Sequence, residues 1–487
     1  MKKTNFVFVS LFLPLVISIV ACRPLIKKGE LLQVGRENFN RYWILDKAVQ
    51  SGDTLILQAE EAKLISRFVA KNFILSADIF TTAGAEGALY FHTDNKGSDP
   101  SEGYSVIINN ADYRQGNSQK TGSLAFTRNN FIHTVNDGEW FNLRVEVIAN
   151  HISVSVNNKI ISEYIQPASP KRIQGLENMI LSEGKIILQK SNDSGQIRID
   201  GIQIEARDPD ELALSDASFV DDSTGEILTL LNQQGFPVVD YHGHLKGGLT
   251  VEEICRHGRV FGYNYGIAPN CGLNFPVTND SALLAYYDGI KDEPVFKAMQ
   301  CEGREWITLF SSENISKYDY IFTDAMTWTD HKGRRMRLWI PEETFVEDEQ
   351  KFMDMLVDKI EAILSQEPVD IYVNPTFLPD IIAGNYDSLW TPERMDRVIK
   401  VLVENDVALE INSRFRIPSI AFVKRAKEAG VKFTLGTNNG GKDDLGRLEY
   451  SLSVIQEAGI TAEDIFIPRP AGDKKVIKNG LPAKITG

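Results

Sequence analysis

The sequence predicts two domains of different class: an antiparallel all-β sandwich or jelly roll, then an α/β domain of parallel βα units. Three observations carry this expectation. From about Phe73 to Ala206, short runs of alternating apolar and polar residues recur between turn signals. From Pro237 onward the rhythm becomes strand, loop, helix. Between them, Arg207 to Glu226 is acidic and poor in large apolar side chains, as a linker would be.

The first residues stand apart from the fold. Lys2 and Lys3 precede an apolar stretch, Phe6 to Val20, and "IVAC" ends at Cys22. A basic start, an apolar run and a small residue before a cysteine describe a lipoprotein-type secretion signal. Pro14 interrupts the run, which is short for a bilayer span. The expectation is a signal peptide over 1–21, lipidation at Cys22, and an exported protein lipid-anchored in the cell envelope, in the periplasm or on the outer surface.

The sandwich is expected over 22–206. Its runs are "NFILSADIF", "EGALYFHT", "YSVIIN", "FNLRVEVIA", "HISVSVNN", "GKIILQ" and "QIRIDGIQIEA". Turn signals include Gly87, "DNKG" and Asn157-Asn158. A linker over 207–236 leads to the α/β domain, 237–470, and a tail over 471–487. In that domain "TPERMDRVIKVLVEN" puts Met395, Val398, Ile399 and Leu402 on one helix face, with Thr391 as N-cap and Pro392 at the first helical position. "PSIAFVKRAKEAG" starts at Pro418 and stops at Gly430, and "DDLGRLEYSLSVIQEAG" aligns Leu445, Leu448, Leu452 and Ile455 before Gly459. The brief runs "VDIYVN", "VALEIN", "VKFTLG" and "DIFIP" alternate with them as strands. Such units close into a barrel or stack into an open doubly wound sheet.

A net charge of −14 argues against nucleic acid or anionic lipid as a partner. Beyond Cys22, Cys255, Cys271 and Cys301 show no C-x-x-C spacing, which argues against a structural zinc cluster and leaves small buried side chains as the reading.

Polar residues collect where the short strands end, which in a βα barrel is where active sites are built. "FPVVDY" leads to His242 and His244, two of only seven histidines. "DIYVN" ends at Asn374, "VALEIN" at Glu410 and Asn412 with Arg414 beyond, "VKFTLGT" at Asn438 and Asn439, and "DIFIP" leads to Arg469; Asn374, Asn412, Arg414, Asn438, Asn439 and Arg469 are the candidate substrate-binding groups. Residues i and i+2 of an extended segment share a side, so the histidine pair suits one metal ion gripped by neutral imidazoles. Two hydrogen-bonded histidines at a strand exit are the plainer alternative. Glu305, before "ITLF", and Asp324 are acidic candidates that could equally be solvated loop charge, and Lys246 is either a proton donor or a solvated loop lysine. Asp330 reads as solvated loop charge. Lys332, Arg334, Arg335 and Arg337 either clamp an anion or balance an acidic chain.

At these residues the second half resembles a PHP domain, the polymerase and histidinol phosphatase family, over about Pro237 to Pro468. The family's His-x-His is similar to His242-Gly243-His244, its Gly-x-Glu to Gly303-Arg304-Glu305, and its strand-then-Glu step to "ALEIN" at Glu410. Asn270-Cys271, Asn374-Pro375 and Gly436-Thr437-Asn438-Asn439-Gly440 depart from the pattern by putting amides in place of charged or imidazole ligands. The resemblance implies a distorted βα barrel and a divalent metal, zinc, manganese or similar. Amides are weak ligands for such ions, so one ion on His242, His244 and Glu305 is more economical than a cluster.

From Phe39 to Ala206 the order of strands resembles the 3-keto-disaccharide hydrolase domain, a concanavalin-like jelly roll. Where that family often has Gly-Tyr-Glu, this chain has Gly103-Tyr104-Ser105, which favours sugar binding over catalysis in this half. Together the resemblances imply a carbohydrate substrate and a metal-dependent hydrolase or lyase acting on a glycoside or 3-keto-glycoside, with the ion on His242, His244 and Glu305, and Asp324 or Glu410 as base. The alternatives are a non-catalytic glycan-binding lipoprotein with a degenerate barrel and a metal-dependent phosphoesterase.

Overall fold

The protein is described here by a computed structural model that covers residues 29, 31–33, 35, 37–93, 102–111, 118–208 and 223–468. Residues 1–21 and Cys22, where a signal peptide and lipidation are expected, and Arg469 lie outside the described residues. Among the described residues no helix is long and apolar enough to cross a membrane.

The N-terminal domain is a β-sandwich of antiparallel sheets. One sheet runs in the order Lys159–Ile165, His151–Val156, Trp140–Ile148, Phe73–Thr81, Ile197–Ala206, Thr54–Leu57, Ala48–Ser51, with Leu31–Gln33 added on Ile197–Ala206. The other runs Trp43–Asp46, Lys63–Ser66, Lys185–Lys190, Glu86–Thr93, Tyr104–Asn109. Every predicted run is a strand, because alternation is what a half-buried sheet demands. In Trp140–Ile148, Phe141, Leu143, Val145 and Val147 face the core while the residues between them face outward. Asn157 and Asn158 both have positive φ, 48° and 66°, the primed hairpin geometry their pairing predicted. Gly87 is not a turn; it lies within a strand, paired with Lys190 on one side and Ile108 on the other.

The second domain settles the choice between open sheet and barrel. Seven parallel strands close on themselves in the order Val239–Gly243, Asn264–Ile267, Phe296–Cys301, Tyr320–Thr323, Ile371–Tyr372, Ala408–Asn412, Phe433–Gly436 and back to the first. Closure is made where Asp240 pairs with Leu435 and Gly266 with Phe296. Helix Pro392–Asn405 is capped by Thr391 and buries Met395, Val398, Ile399 and Leu402 as expected. Helix Glu449–Ala458 begins later than the sequence suggested, so Leu445 precedes it, while Leu452 and Ile455 are buried in it. "DIFIP" contributes a single bridge, Ile465 to Phe433, and no strand. The segment read as a linker contains a helix, Ser223–Gln233, whose Leu228 and Leu231 join the barrel core. Cys255, Cys271 and Cys301 are buried free thiols.

The two domains are joined by buried amides. Asn264 of the second barrel strand accepts from Phe131 N–H at 2.9 Å and donates to Asn129 O at 2.9 Å. Asn129 donates in turn to Asn232 O at 2.7 Å, and Arg128 to Val260 O at 2.6 Å. Ile132 of the same sandwich loop is part of the barrel core. Replacing Asn264 by leucine would strand two buried backbone groups, each costing about 1–3 kcal/mol. We expect Asn264→Leu to lose roughly 2–4 kcal/mol and to split the calorimetric unfolding of the two domains. A single unshifted transition would show the joint to be dispensable.

Candidate active site at the barrel mouth

The C-terminal ends of the barrel strands bring His242, His244, Glu302, Asp324, Asn374, Glu410, Asn412 and Asn439 together as buried side chains. His242 lies on the first strand. Its Nδ1 meets Glu410 Oε1 at 2.5 Å, and the other Glu410 oxygen accepts from Asn374 N–H at 2.6 Å and Asn412 Nδ2 at 3.0 Å. A carboxylate in that position accepts at Nδ1 and fixes the orientation of the ring, which leaves Nε2 as the nitrogen without a partner. Gly436 makes this possible: a Cβ there would sit 2.1 Å from Glu410 Oε1. His244 gives its Nδ1 proton to Ala268 O at 2.8 Å. Burial, then the neighbouring His242 and Lys246, hold its pKa well below the usual histidine range, so the His244 ring is neutral with a bare Nε2. The two rings stand 5.1 Å apart, centroid to centroid, and neither Nε2 has a hydrogen-bond partner.

The acidic residue beside them is Glu302, which the sequence reading passed over. The third strand ends at Cys301, so Glu302 is the first residue into the mouth. Gly303, with φ of +68°, then turns the chain away. Glu305, expected to join the histidines, is a correction: it is half-exposed, pairs with Arg335 at 3.2 Å and accepts from Arg304 N–H. Among the described residues no three His, Cys, Asp or Glu side chains gather closely enough to hold an ion, so the expected His242–His244–Glu305 triplet does not form. Glu302 Oε1 accepts from Asn270 Nδ2 at 2.7 Å, while its buried Oε2 has no partner. Burial, reinforced by the charge of Asp324, pushes the Glu302 pKa far above the usual carboxylate range. Burial raises Asp324 as well, but Asp324 has two donors, Met326 N–H at 3.0 Å and Asn374 Nδ2 at 3.3 Å. Burial pushes both carboxyls up, and Asp324, with two donors to the one on Glu302, is the better placed of the two to carry charge. Lys246 lies within electrostatic reach of Glu302 and Arg414, and packing around its ammonium lowers its pKa.

The amides have different tasks from those expected. Asn439, read as substrate-binding, clips the His244 backbone, accepting from its N–H at 2.7 Å and donating to its C=O at 3.0 Å. Asn412 accepts from Phe415 N–H and donates to Asn374 and Glu410. Asn374 Oδ1 accepts from Asn412 and Asn438, both at 3.0 Å. These side chains are spent on holding Glu410, Asp324 and the loops, which leaves them little to offer a ligand. Arg414 is exposed, donates to Asn438 O and lines an adjacent cleft. Of the basic cluster, Arg334 pairs with Asp330, Lys332 with Glu347, Arg335 with Glu305 and Arg337 with Glu343, so it balances acidic neighbours.

His242 Nε2 and His244 Nε2, buried and unpartnered with their far nitrogens fixed by a carboxylate and a carbonyl, fit the imidazole half of a metal site.

Residues 35–205 match the family profile described as a 3-keto-alpha-glucoside-1,2-lyase-like domain. Among solved structures, a candidate glycosyl hydrolase from Parabacteroides distasonis ATCC 8503 is similar at 20% identity, over 36% of this chain and 99% of its own, with a TM-score of 0.31. The carbohydrate binding module CBM66 from Bacillus subtilis is similar at 14% identity, over 38% of this chain and 100% of its own, with a TM-score of 0.23. No curated protein matches the chain.

Proposed function

We propose that this chain is a carbohydrate-active enzyme of the hydrolase or lyase type, working at the barrel mouth on a glycoside or 3-keto-glycoside. In this reading it uses a divalent ion such as zinc or manganese bound by His242 and His244, and is exported and held at the envelope by a lipid on Cys22. One observation carries the reading: three buried polar atoms at the mouth, His242 Nε2, His244 Nε2 and Glu302 Oε2, lack partners. Buried polar atoms are nearly always satisfied, and unsatisfied ones concentrate where a ligand belongs. The resemblance of the barrel to PHP domains and the match of the sandwich to the keto-glucoside lyase-like profile support the metal and the substrate class respectively.

The ion, when bound, would supply Lewis acidity toward a substrate oxygen. The remaining chemistry falls to the protein's own groups. A ketone at sugar carbon 3 acidifies the hydrogen on carbon 2. Ionised Asp324 is the base for that proton. The electron pair left on carbon 2 becomes a double bond to carbon 1 as the carbon 1–oxygen bond breaks. Protonated Glu302 returns a proton to the departing oxygen, and Lys246, within electrostatic reach of Glu302 and His244, is the donor to the ketone oxygen. Glu410 is not free to act as base, since hydrogen bonds from His242, Asn374 and Asn412 occupy both its oxygens.

The test is His242→Ala in the full-length protein, read by metal content and by turnover of a 3-keto-glycoside. We expect bound metal to fall at least tenfold, as loss of one of two imidazole ligands requires, and turnover to fall with it. Unchanged metal content and turnover would overturn the reading. Glycan retention without product would point to the binding protein, and turnover of a simple phosphomonoester to the phosphoesterase.

A further inference from the structure

Beside the mouth lies an open cleft of about 320 Å3 whose lining includes Arg414, Arg416, Arg447, Asp444, Glu449 and Tyr450. Three guanidiniums against the carboxylates of Asp444 and Glu449 give the lining a net positive charge in a chain of net charge −14. They are unequally engaged. Arg414 approaches Asp444 at 3.7 Å and donates to Asn438 O at 2.9 Å. Arg447 comes only within 3.9 Å of Glu449. Arg416 lies over the ring of Tyr450, 5.5 Å from its centroid, and meets no carboxylate among the described residues. Tyr450 is itself pinned, its hydroxyl donating to Pro418 O at 2.6 Å. The cleft adjoins the mouth: Thr437 lines it and donates to Asp240 at 2.6 Å, and the charges of Arg414 and Lys246 both act on His244.

A guanidinium held on an aromatic face with its donors unspent is a recognition element for carboxylate and phosphate oxygens. A basic patch in an acidic molecule also draws anions selectively toward it. We infer that the cleft binds an anionic group on the sugar, a carboxylate or an ester of phosphoric acid, with Arg416 as the main contact and Arg447 and Arg414 as flanking charges. The substrate class is then an acidic glycoside. The inference rests on the mouth being the place of glycoside turnover, and its test separates the two.

The experiment is calorimetric titration of the full-length protein with glucuronate, glucose 6-phosphate and glucose. We expect at least one charged sugar to bind roughly tenfold or more tightly than glucose, and Arg416→Gln to remove that margin while glucose binding stays unchanged. The margin should shrink as salt rises. Preference for glucuronate identifies a carboxylate, and preference for the phosphate an ester. Equal binding of all three, no binding at millimolar concentration, or an undiminished margin in Arg416→Gln overturns the inference. His242→Ala should retain the margin. A margin that persists in a protein turning over no acidic glycoside would leave the cleft standing and defeat the catalytic reading.

Discussion

Replacing Glu302 by glutamine is expected to lower turnover by roughly 10²–10⁴-fold, the usual contribution of a positioned general acid. The same substitution is expected to make the protein more stable at alkaline pH. The native carboxyl holds its proton far above the ordinary range because it is buried beside Asp324. Below the unfolded-state value, both folded and unfolded chains keep the proton, and variant and wild type should match. Between the unfolded and the raised native value, only the folded chain keeps it. Wild-type stability therefore falls as pH rises through that window, and the loss is complete above the native value. Glutamine has no proton to release and escapes this fall. The expected difference at pH 8 is on the order of 1–3 kcal/mol in favour of the variant, shrinking at pH 4. Urea unfolding of both proteins at the two pH values measures it. A difference independent of pH would mean that Glu302 is ionised and paired in the native state.

Glu410→Ala should have the opposite effect on stability. Glu410 accepts from the His242 ring, the Asn374 backbone and the Asn412 amide, all buried. Removing the acceptor leaves three donors unsatisfied, and breaking a buried pair of this kind costs about 3–5 kcal/mol. The imidazole of His242 also loses the contact that fixes its tautomer, so metal binding should weaken by roughly 10–100-fold. Glu410→Gln keeps an acceptor and should recover much of the stability but less of the metal binding. Denaturant titration and metal titration read the two effects separately. Equal loss in both variants would assign Glu410 a role in packing alone.

The sandwich strands were legible because each buries one face, so alternation survives in the sequence, as in Trp140–Ile148. The barrel helices were legible from Thr391, Pro392 and the spacing from Met395 to Leu402. Glu302 was not, for a local reason. Strand Phe296–Cys301 is buried on both faces yet carries Lys297 and Gln300, so "FKAMQC" shows neither alternation nor an unbroken apolar run. Without that strand end, Glu305 in Gly303-Arg304-Glu305 drew the eye three residues too far. The helix Ser223–Gln233 was masked by the acidic run before it, although Leu228 and Leu231 already stood at helical spacing. The tasks of Asn412 and Asn439 were hidden because their partners are chain segments distant in sequence: Asn439 reaches back to the His244 backbone and Asn412 across to Asn374. A sequence displays residue types at strand ends but not which hydrogen bonds are already taken.

The amide joint around Asn129, Asn232 and Asn264 fixes the distance between the two domains. Modules on slack tethers capture chains of many lengths, since the tether sets the effective concentration of one site at the other. A bolted pair has no such tolerance. Whatever the sandwich and the barrel each hold is kept at one constant separation.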